Sequence, residues 1–456
     1  MLLKIAVGNV RRSFADYSVY FFALTLAACL LYAFTGSGDY LLALNLTADQ
    51  RQLYGSASMV TQAFSVFSVV VFAFLIAYAN RFILRRRARE FALYELLGMG
   101  SGSVGAILCL EGALVGAASL AAGVLLGVAA SPVLGAVAAF VFDAPYRPML
   151  FFCGPAVLWT AGCFALIMAL TTALSIRDLR KRSLASLLDA QAAPDRPRRF
   201  RHLPRPLQLA FACILLALVW GTCILQPVQF VVWILPLGIA AVFATGILFR
   251  LWAQARPALA RRNPSRYWQG LRCFNVRQAE ERMSSSANAL ACVCALVAVG
   301  ICMMVAGFAF SVGMRSFESG EQPLASALAP IGFAGIFYGL TFLVSAAAVL
   351  ALQLLTSATD SAQRYRMLCD LGCEDRMLRQ SIRSLTGSYF ATPLAFALIH
   401  CLFGLALIAF LAAALGSQHF WLIAAACTAC ALGLFAAYYL LAYAACKRML
   451  LKPAAN

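Results

Sequence analysis

The sequence predicts an all-α polytopic membrane protein whose ten transmembrane helices form two four-helix repeats around a central helix pair, with cytoplasmic coupling helices. Its 456 residues are 63% hydrophobic and 12% charged, too few charges to cover a soluble protein of this size. Apolar runs of about 20 residues, the length that crosses a bilayer core, alternate with short polar or basic segments. A hairpin pattern in the first half also recurs in the second half.

Basic residues give the predicted orientation of the helices. The net charge of +18 comes from 36 Lys and Arg against 18 Asp and Glu. All basic residues except Arg51, Arg147 and Arg315 fall in segments that the ten-span arrangement places in the cytoplasm. Because short cytoplasmic loops of membrane proteins are rich in Lys and Arg, this charge indicates topology and not nucleic-acid binding. Both termini are predicted to be cytoplasmic.

The duplicated hairpin is the feature around which the chain is organised. In the first hairpin, residues 81–127, a basic cluster follows a membrane span, a short polar helix ends at Leu97-Gly98, and a Gly-spaced apolar run returns to the membrane. In the second hairpin, residues 363–400, Leu371-Gly372 aligns with Leu97-Gly98. Gly suits the end of a helix where the chain must turn back. We interpret both as cytoplasmic hairpins that pass force between membrane helices and a partner outside the membrane.

The first half begins with an amphipathic segment, residues 1–16. Its apolar residues recur at helical spacing, so it is predicted to lie in the headgroup plane as an elbow before the first span. Residues 17–176 form the first four-span repeat. Its spans are predicted at about 17–35, 59–80, the run after the first hairpin, and 149–176, with outer segments at 36–58 and 132–148.

A basic, Pro-containing linker, residues 177–205, separates the halves. Residues 207–249 contain the central helix pair, and residues 250–286 form a cytoplasmic linker with a second elbow. The Asn-Val-Arg sequence at Asn275 repeats the one at Asn9. Residues 287–452 form the second four-span repeat, with spans at about 287–312, 330–355, 389–415 and 420–445 and an outer loop at 313–329.

Four segments carry a family resemblance through their order and duplication: KIAVGNVRRSFADYSVYF, REFALYELLGMG, LEGALVG and YRMLCDLG. With them the chain resembles the FtsX-like permeases, the membrane subunits of mechanotransmitting ABC transporters. Within them the chain is similar to the ten-span permeases of bacitracin-resistance type. Those permeases carry a large extracellular domain between spans seven and eight, whereas this chain has only the short loop 313–329.

The resemblance implies a bacterial cytoplasmic membrane location and a separate ABC ATPase subunit, expected as a dimer, that binds ATP and Mg. It also implies further partners: membrane lipid, and a second permease, a lipoprotein or a sensor kinase. Residues of the two hairpins are then expected to couple to the ATPase. These coupling residues are Glu90, Tyr94, Glu95, Leu97, Gly98, Arg366, Asp370, Leu371 and Gly372.

Catalytic and metal-binding residues are not predicted in this chain. Its four Lys, at 4, 181, 447 and 452, do not follow Gly, so the phosphate loop of an ATPase is missing. His is present only at 202, 400 and 419, and no HExxH occurs. The chain itself is therefore expected to bind no cofactor.

Two ionisable residues and four glycines within predicted spans are further candidates. Glu111 and His400 at membrane depth are either functional or structural, and the structural interpretation is favoured. In that interpretation Glu111 bonds to a neighbouring helix or a basic residue, and a neutral His400 bonds to a helix carbonyl. Close helix packing is predicted where small residues recur at four-residue spacing, against a neighbouring helix or a partner subunit. These positions are Gly112, Gly116, Gly123 and Gly127.

The expected function is that of an ABC permease subunit, which couples ATP hydrolysis in the partner to movement or extraction of an amphiphilic, peptide or lipid-linked substrate at the membrane. An antimicrobial peptide is one such substrate. The alternative is a sensory or regulatory module of the same fold that signals to a partner. A lipid-modifying enzyme is disfavoured because no catalytic residue set is present.

Overall fold

The computed structural model consists of α-helices and contains no strand among the residues it describes. These are residues 2–12, 14–43, 83–84, 87–142, 150, 152–180, 204–311, 322–414 and 419–451, with isolated positions between 69 and 80. The predicted all-α polytopic membrane fold is confirmed.

The helices are labelled in chain order. They are α1 (Leu2–Arg12), α2 (Phe14–Ala43), α3 (Ala88–Leu96), α4 (Ser101–Phe142), α5 (Gly154–Arg180), α6 (Arg205–Leu225), α7 (Pro227–Val232), α8 (Ile234–Arg261), α9 (Pro264–Tyr267), α10 (Arg272–Ser285), α11 (Ala287–Ser311), α12 (Gln322–Asp370), α13 (Asp375–Ala414) and α14 (Phe420–Leu451).

Within the described part of the chain, 8 helices are long and apolar enough to cross a membrane. They are α4, α5, α6, α8, α11, α12, α13 and α14. A shorter apolar stretch, Tyr20–Ala33, lies in α2, where the first span is predicted. The second predicted span, 59–80, falls mostly outside the described residues, so the number ten stays a prediction.

Several helices continue beyond the predicted span ends. α2 runs to Ala43 although an outer segment was predicted from Gly36, and α4 continues through Pro132 to Phe142. α12 begins at Gln322, inside the predicted loop 313–329, and runs without interruption to Asp370. A proline is tolerated inside such a helix because neighbouring groups satisfy the freed backbone positions. The predicted outer residues Asp49, Asp143 and Glu318 lie outside the described residues, as do Arg85 and Arg199 of the predicted cytoplasmic segments.

The chain forms two compact units. The first comprises Met1–Ala193 and Phe310–Tyr338. In it α2 packs along α4, and both helices contact α5. The elbow helix α1 lies against α4 and buries Ala6 while Leu3 and Val7 stay exposed. This exposed apolar face is typical of a helix in the headgroup plane.

The second unit comprises Pro194–Ala309 and Gly339–Asn456. There α8 packs against α6 and α10, and α13 packs against α14, α6 and α10. The elbow helix α10 therefore contacts α13 in this unit as α1 contacts α4 in the first. α11 and α12 meet at two glycines: a Cβ on Gly339 would lie 2.7 Å from the Gly300 carbonyl oxygen.

Candidate functional site

The polar helix of the first hairpin, α3, ends in a Schellman motif. Gly98 has a φ of +90°, and its N–H donates to the Glu95 carbonyl at 3.0 Å. The N–H of Met99 donates to the Tyr94 carbonyl at 3.0 Å. This pair of bonds satisfies the last carbonyls of the helix and requires a residue that accepts the left-handed conformation. The sequence thus ends the helix at Gly98 and turns the chain toward α4.

The second hairpin ends in the same way. Gly372 has a φ of +79°, its N–H donates to the Cys369 carbonyl at 2.9 Å, and the N–H of Cys373 donates to the Leu368 carbonyl at 3.0 Å. The aligned Leu-Gly pairs therefore occupy the same position in the same helix-terminating motif. Here the motif closes α12, a helix of 49 residues that continues from a membrane span, whereas α3 has only 9 residues.

Each motif carries an exposed leucine. Leu97 is 81% exposed and Leu371 is 82% exposed. Leu93 and Leu96 are also exposed beside Leu97, and Met367 is exposed on the turn before Leu371. Of the other predicted coupling residues, Arg366 and Asp370 are exposed, while Glu90, Tyr94 and Glu95 are half-buried. Apolar side chains exposed together mark a surface that another protein or a membrane covers.

The opposite face of α3 is fixed to α4. Phe91 and Ala92 are fully buried and pack with Val104 and Leu108 of α4. One face of this short helix is thus embedded in the unit while the other presents leucines. An isolated 9-residue helix is marginal in water, so this packing holds it in place.

A buried ion pair ties the start of α3 to α4. Arg87, the residue before α3, donates from Nη1 to Glu111, and both side chains are 1% exposed. Tyr17 of α2 accepts from Arg87 at 2.5 Å and donates to Glu111 at 2.7 Å. Arg87 also donates to Glu90 from Nε at 2.9 Å. Burial alone lowers the pKa of Arg87, but the attraction of Tyr17, Glu111 and Glu90 outweighs it, so the pKa is raised.

The elbow helix joins this network through Asn9. Its side-chain N–H donates to the second carboxylate oxygen of Glu111 at 2.8 Å and to the hydroxyl of Tyr94 at 3.2 Å. Both oxygens of Glu111 are therefore bonded, as a buried carboxylate requires. We name the set Asn9, Tyr17, Arg87, Tyr94 and Glu111 the charged joint. It connects α1, α2, α3 and α4 at one place.

A neutral counterpart lies in the second unit, where α10 takes the role of α1. Ser381 of α13 donates to Asn275 of α10 at 2.5 Å. Since the Ser381 proton is used in this bond, the Tyr365 hydroxyl, 2.8 Å away, donates to Ser381. Each repeated Asn-Val-Arg sequence thus places an Asn that links an elbow helix to a Tyr near the hairpin and to the returning span.

The second unit also contains a buried arginine, which lies in the elbow helix α10. Arg282 of α10 is 7% exposed and donates to the carbonyl oxygen of Ser357. One turn earlier, Gln278 donates to Ser361 at 2.7 Å. Burial lowers the pKa of Arg282 to about 10. The two units therefore hold their buried arginines differently. Arg87 donates to a buried carboxylate, whereas Arg282 donates to a carbonyl and is also attracted by the charge of Asp360.

The four predicted packing glycines of α4 face helices of the same unit. A Cβ on Gly123 would lie 2.6 Å from the Cβ of Ala28, and one on Gly127 would lie 2.5 Å from Tyr32 Cδ1. Both contacts are with α2. Gly112 and Gly116 lie near Met168 of α5, at 4.0 Å and 3.4 Å from its Cε. A neighbouring helix, one of the two predicted alternatives, fills both grooves.

His400 lies in α13 and bridges α6 and α8 in the second unit. Trp220 Nε1 donates to His400 Nδ1 at 3.2 Å, and His400 Nε2 lies 3.0 Å from the Thr245 hydroxyl. Because Thr245 donates its own proton to the Ala241 carbonyl, it accepts from His400. These bonds fit a neutral imidazole with its proton on Nε2. The partners are two side chains, where the favoured interpretation expected a helix carbonyl.

Sequence comparison locates the first hairpin within a known domain. A model of the FtsX-like permease C-terminal region matches residues 63–184, which include α3, α4 and both members of the buried ion pair. Residues 63–184 are therefore similar to the C-terminal domain of the FtsX-like permeases. The exposed leucines of α3 therefore lie inside the segment that matches the family model.

The chain is also similar to proteins that are named as permeases. The chain is 29% identical over 191 residues to the bacitracin export permease protein BceB of Halalkalibacterium halodurans, covering 42% of this chain and 29% of that protein. It is 27% identical over 192 residues to BceB of Bacillus subtilis, with the same coverage. It is 34% identical over 73 residues to the ABC transporter permease protein YxdM of Bacillus subtilis, covering 16% of this chain and 12% of that protein. The alignments with BceB span 29% of its length.

Proposed function

We propose that this chain is the membrane permease subunit of a bacterial ABC transporter, in which a separate ATPase subunit hydrolyses ATP. The observation that carries the proposal is the pair of Schellman-terminated hairpins that expose Leu97 and Leu371. We call the exposed end of each hairpin, at Leu97 and at Leu371, its tip. Two equivalent tips fit two equivalent ATPase subunits. The match of residues 63–184 to the FtsX-like permeases and the similarity to ABC permeases support the same function.

Docking at the first tip rests on the two faces of α3. Leu93, Leu96 and Leu97 are exposed, and burying each of them in a groove of the ATPase would contribute about 1.5–3 kcal/mol before the entropy of association is subtracted. Glu95 beside them is half-buried and supplies a charge for orientation. The tip therefore has the composition of a docking surface.

The charged joint explains how movement of a docked ATPase reaches the membrane. A force on α3 acts on Arg87 at the start of that helix and on Tyr94 in its last turn. Arg87 passes the force to Glu111 of α4 and Tyr94 passes it to Asn9 of α1. Since α2 packs along α4, the first span moves with them. We infer that the joint makes these helices respond as one body.

The substrate is proposed to be handled at the membrane. The outer segments predicted at 36–58, 132–148 and 313–329 each contain about two dozen residues or fewer, too few to fold a separate receptor domain. BceB is named for bacitracin export. For this chain we propose an amphiphilic or lipid-linked substrate within the bilayer surface, or a partner protein that supplies the receptor.

Site-specific photocrosslinking tests the docking proposal. A photoreactive amino acid replaces Leu97 or Leu371 in the full chain, and Leu225, which is 80% exposed at the far end of α6, serves as the matched control. We expect crosslinks from both hairpins to a protein that carries the Gly-Lys-Ser/Thr phosphate loop, and none from Leu225. Crosslinks to a protein without that loop would favour the sensory alternative and reject the permease assignment.

Reconstitution in nanodiscs tests the substrate class. The chain and the ATPase identified by crosslinking are assembled together without a crosslink. ATP hydrolysis is then measured with a lipid-linked amphiphile or with a soluble hydrophilic peptide. The proposal expects stimulation by the amphiphile. Strong stimulation by the soluble peptide, without a lipid or a further protein, would contradict it.

A further inference from the structure

Two exposed tryptophans lie about one bilayer core thickness apart along α8. Trp233 directly precedes α8 and is 61% exposed, and Trp252 is 43% exposed. They are separated by nineteen residues, about 28 Å along a helix axis. This matches the core thickness of about 30 Å, and Trp is enriched at both of its boundaries. Residues that follow Trp252 therefore lie at headgroup level and beyond.

Arginines are concentrated in this region. The segment from Arg250 to Arg277 contains no acidic residue. Its arginines are Arg250, Arg256, Arg261, Arg262, Arg266, Arg272 and Arg277. Arg261, Arg262 and Arg266 are exposed, and none of the carboxylates in the described part of the chain forms an ion pair with them. Three exposed positive charges thus lie within six residues of one another, next to the proposed membrane boundary.

Neighbouring aromatic rings give this surface a fixed geometry. The guanidinium of Arg261 lies over the ring of Tyr267, 5.9 Å from its centroid. Tyr267 is buried, and its hydroxyl accepts from the thiol of Cys273 at 3.2 Å. Trp268 meets the Tyr267 ring edge-on at 5.1 Å and is 71% exposed. An arginine that lies over an aromatic ring can still present its N–H groups to an anion.

We propose that Arg261, Arg262, Arg266 and Trp268 form a binding surface for anionic phospholipid headgroups, which we name the arginine collar. Guanidinium groups bind phosphate oxygens through paired N–H donors, and the exposed indole of Trp268 lies beside the lipid headgroups. Each basic residue near an anionic membrane surface raises affinity roughly fivefold. The three arginines together give roughly a hundredfold preference for anionic over neutral lipid.

Native mass spectrometry of the detergent-purified full chain provides the test. Dioleoyl phosphatidylglycerol and dioleoyl phosphatidylcholine are titrated separately, and bound lipids are counted at each concentration. The test variant is R261Q/R262Q/R266Q. The control is R376Q/R379Q/R383Q, which removes three exposed arginines with the same change in net charge but lies at the second hairpin. Elution volume and thermal unfolding check that both variants are folded.

We expect the collar variant to bind the first phosphatidylglycerol molecule roughly a hundredfold more weakly, with phosphatidylcholine binding unchanged, while the control stays within threefold of the parent chain. If the triple variant does not fold, the single variant R262E is used in its place. We expect it to show a smaller loss of phosphatidylglycerol binding. Equal losses in both triple variants, or no preference for phosphatidylglycerol in the parent chain, would overturn the proposal. If the collar variant still binds phosphatidylglycerol but no longer binds the ATPase identified by crosslinking, the surface binds protein and the proposal is wrong.

Discussion

Arg87 and Glu111 form an ion pair in which each side chain is 1% exposed, and it joins the short helix of the first hairpin to the membrane span that follows. Removing one charge leaves the other buried without its partner, which costs about 3–5 kcal/mol. The pair as a whole is much less costly to replace, because two apolar side chains of similar volume avoid the desolvation penalty.

The first prediction is that E111L and R87M each lower the thermal unfolding midpoint of the purified chain strongly, whereas R87M/E111L recovers most of the loss. Unfolding of all four proteins in the same detergent gives the coupling energy of the pair. A double variant as unstable as the sum of its single variants would show that the two side chains act independently. If the double variant is stable but no longer transmits ATPase stimulation, the pair also carries force.

The second prediction concerns the Schellman turns. Alanine at Gly98 or Gly372 must adopt a positive φ, which costs about 1–2 kcal/mol for a residue with a Cβ. G387A is the control, because Gly387 lies inside α13 with no atom within 4 Å of its added Cβ. We expect G98A and G372A to insert in the membrane but to lose crosslinking from the leucine tips, while G387A retains it. Unchanged crosslinking in the double variant G98A/G372A would show that the two turns are not part of the docking site.

These turns could be predicted from sequence because a Schellman motif is local: Leu-Gly after a polar helix is sufficient to indicate it. The partners of Glu111 could not be predicted from sequence, because tertiary packing brings Asn9, Tyr17 and Arg87 to it. Arg87 belongs to a basic cluster that was interpreted only as a topology signal. The repeated Asn-Val-Arg sequence did contain a signal for the joint, because both of its Asn residues bridge an elbow helix to a returning span.

The third prediction uses two glycines of the same helix. A Cβ on Gly123 would lie 2.8 Å from the carbonyl oxygen of Thr25, so G123A must push α2 away from α4. The nearest atoms to a Cβ on Gly112 are 4.0 Å away, which is ordinary contact. We expect G123A to lower stability by about 1–3 kcal/mol and G112A to leave it within about 0.5 kcal/mol or raise it.

Thermal unfolding of the two glycine variants under identical conditions checks this difference. A cysteine pair across α2 and α4 adds a second measurement, since its oxidation should slow in G123A and not in G112A. Equal stability of the two variants would mean that the helices already separate at Gly123 in the membrane.

The last prediction follows from the buried arginine of the second unit. Burial lowers the pKa of Arg282 to about 10, which is still high enough to keep this side chain charged at neutral pH. A lysine has an ordinary pKa of about 10.4, so the same burial in R282K should lower its pKa toward neutrality. A folded-state pKa below the unfolded value means that the folded protein binds the proton more weakly. Stability of R282K should therefore increase as pH rises from the folded toward the unfolded pKa, and decrease as pH falls.

We expect the unfolding midpoint of R282K to rise between about pH 7 and pH 10, and that of the parent chain to change less over this range. The matched control is R364K, at an exposed position whose arginine pairs with Glu281 at 3.0 Å. Because a lysine at that surface keeps its ordinary pKa, its stability should follow the parent chain. Parallel curves for R282K and R364K would contradict the prediction and show that position 282 is hydrated in the folded protein.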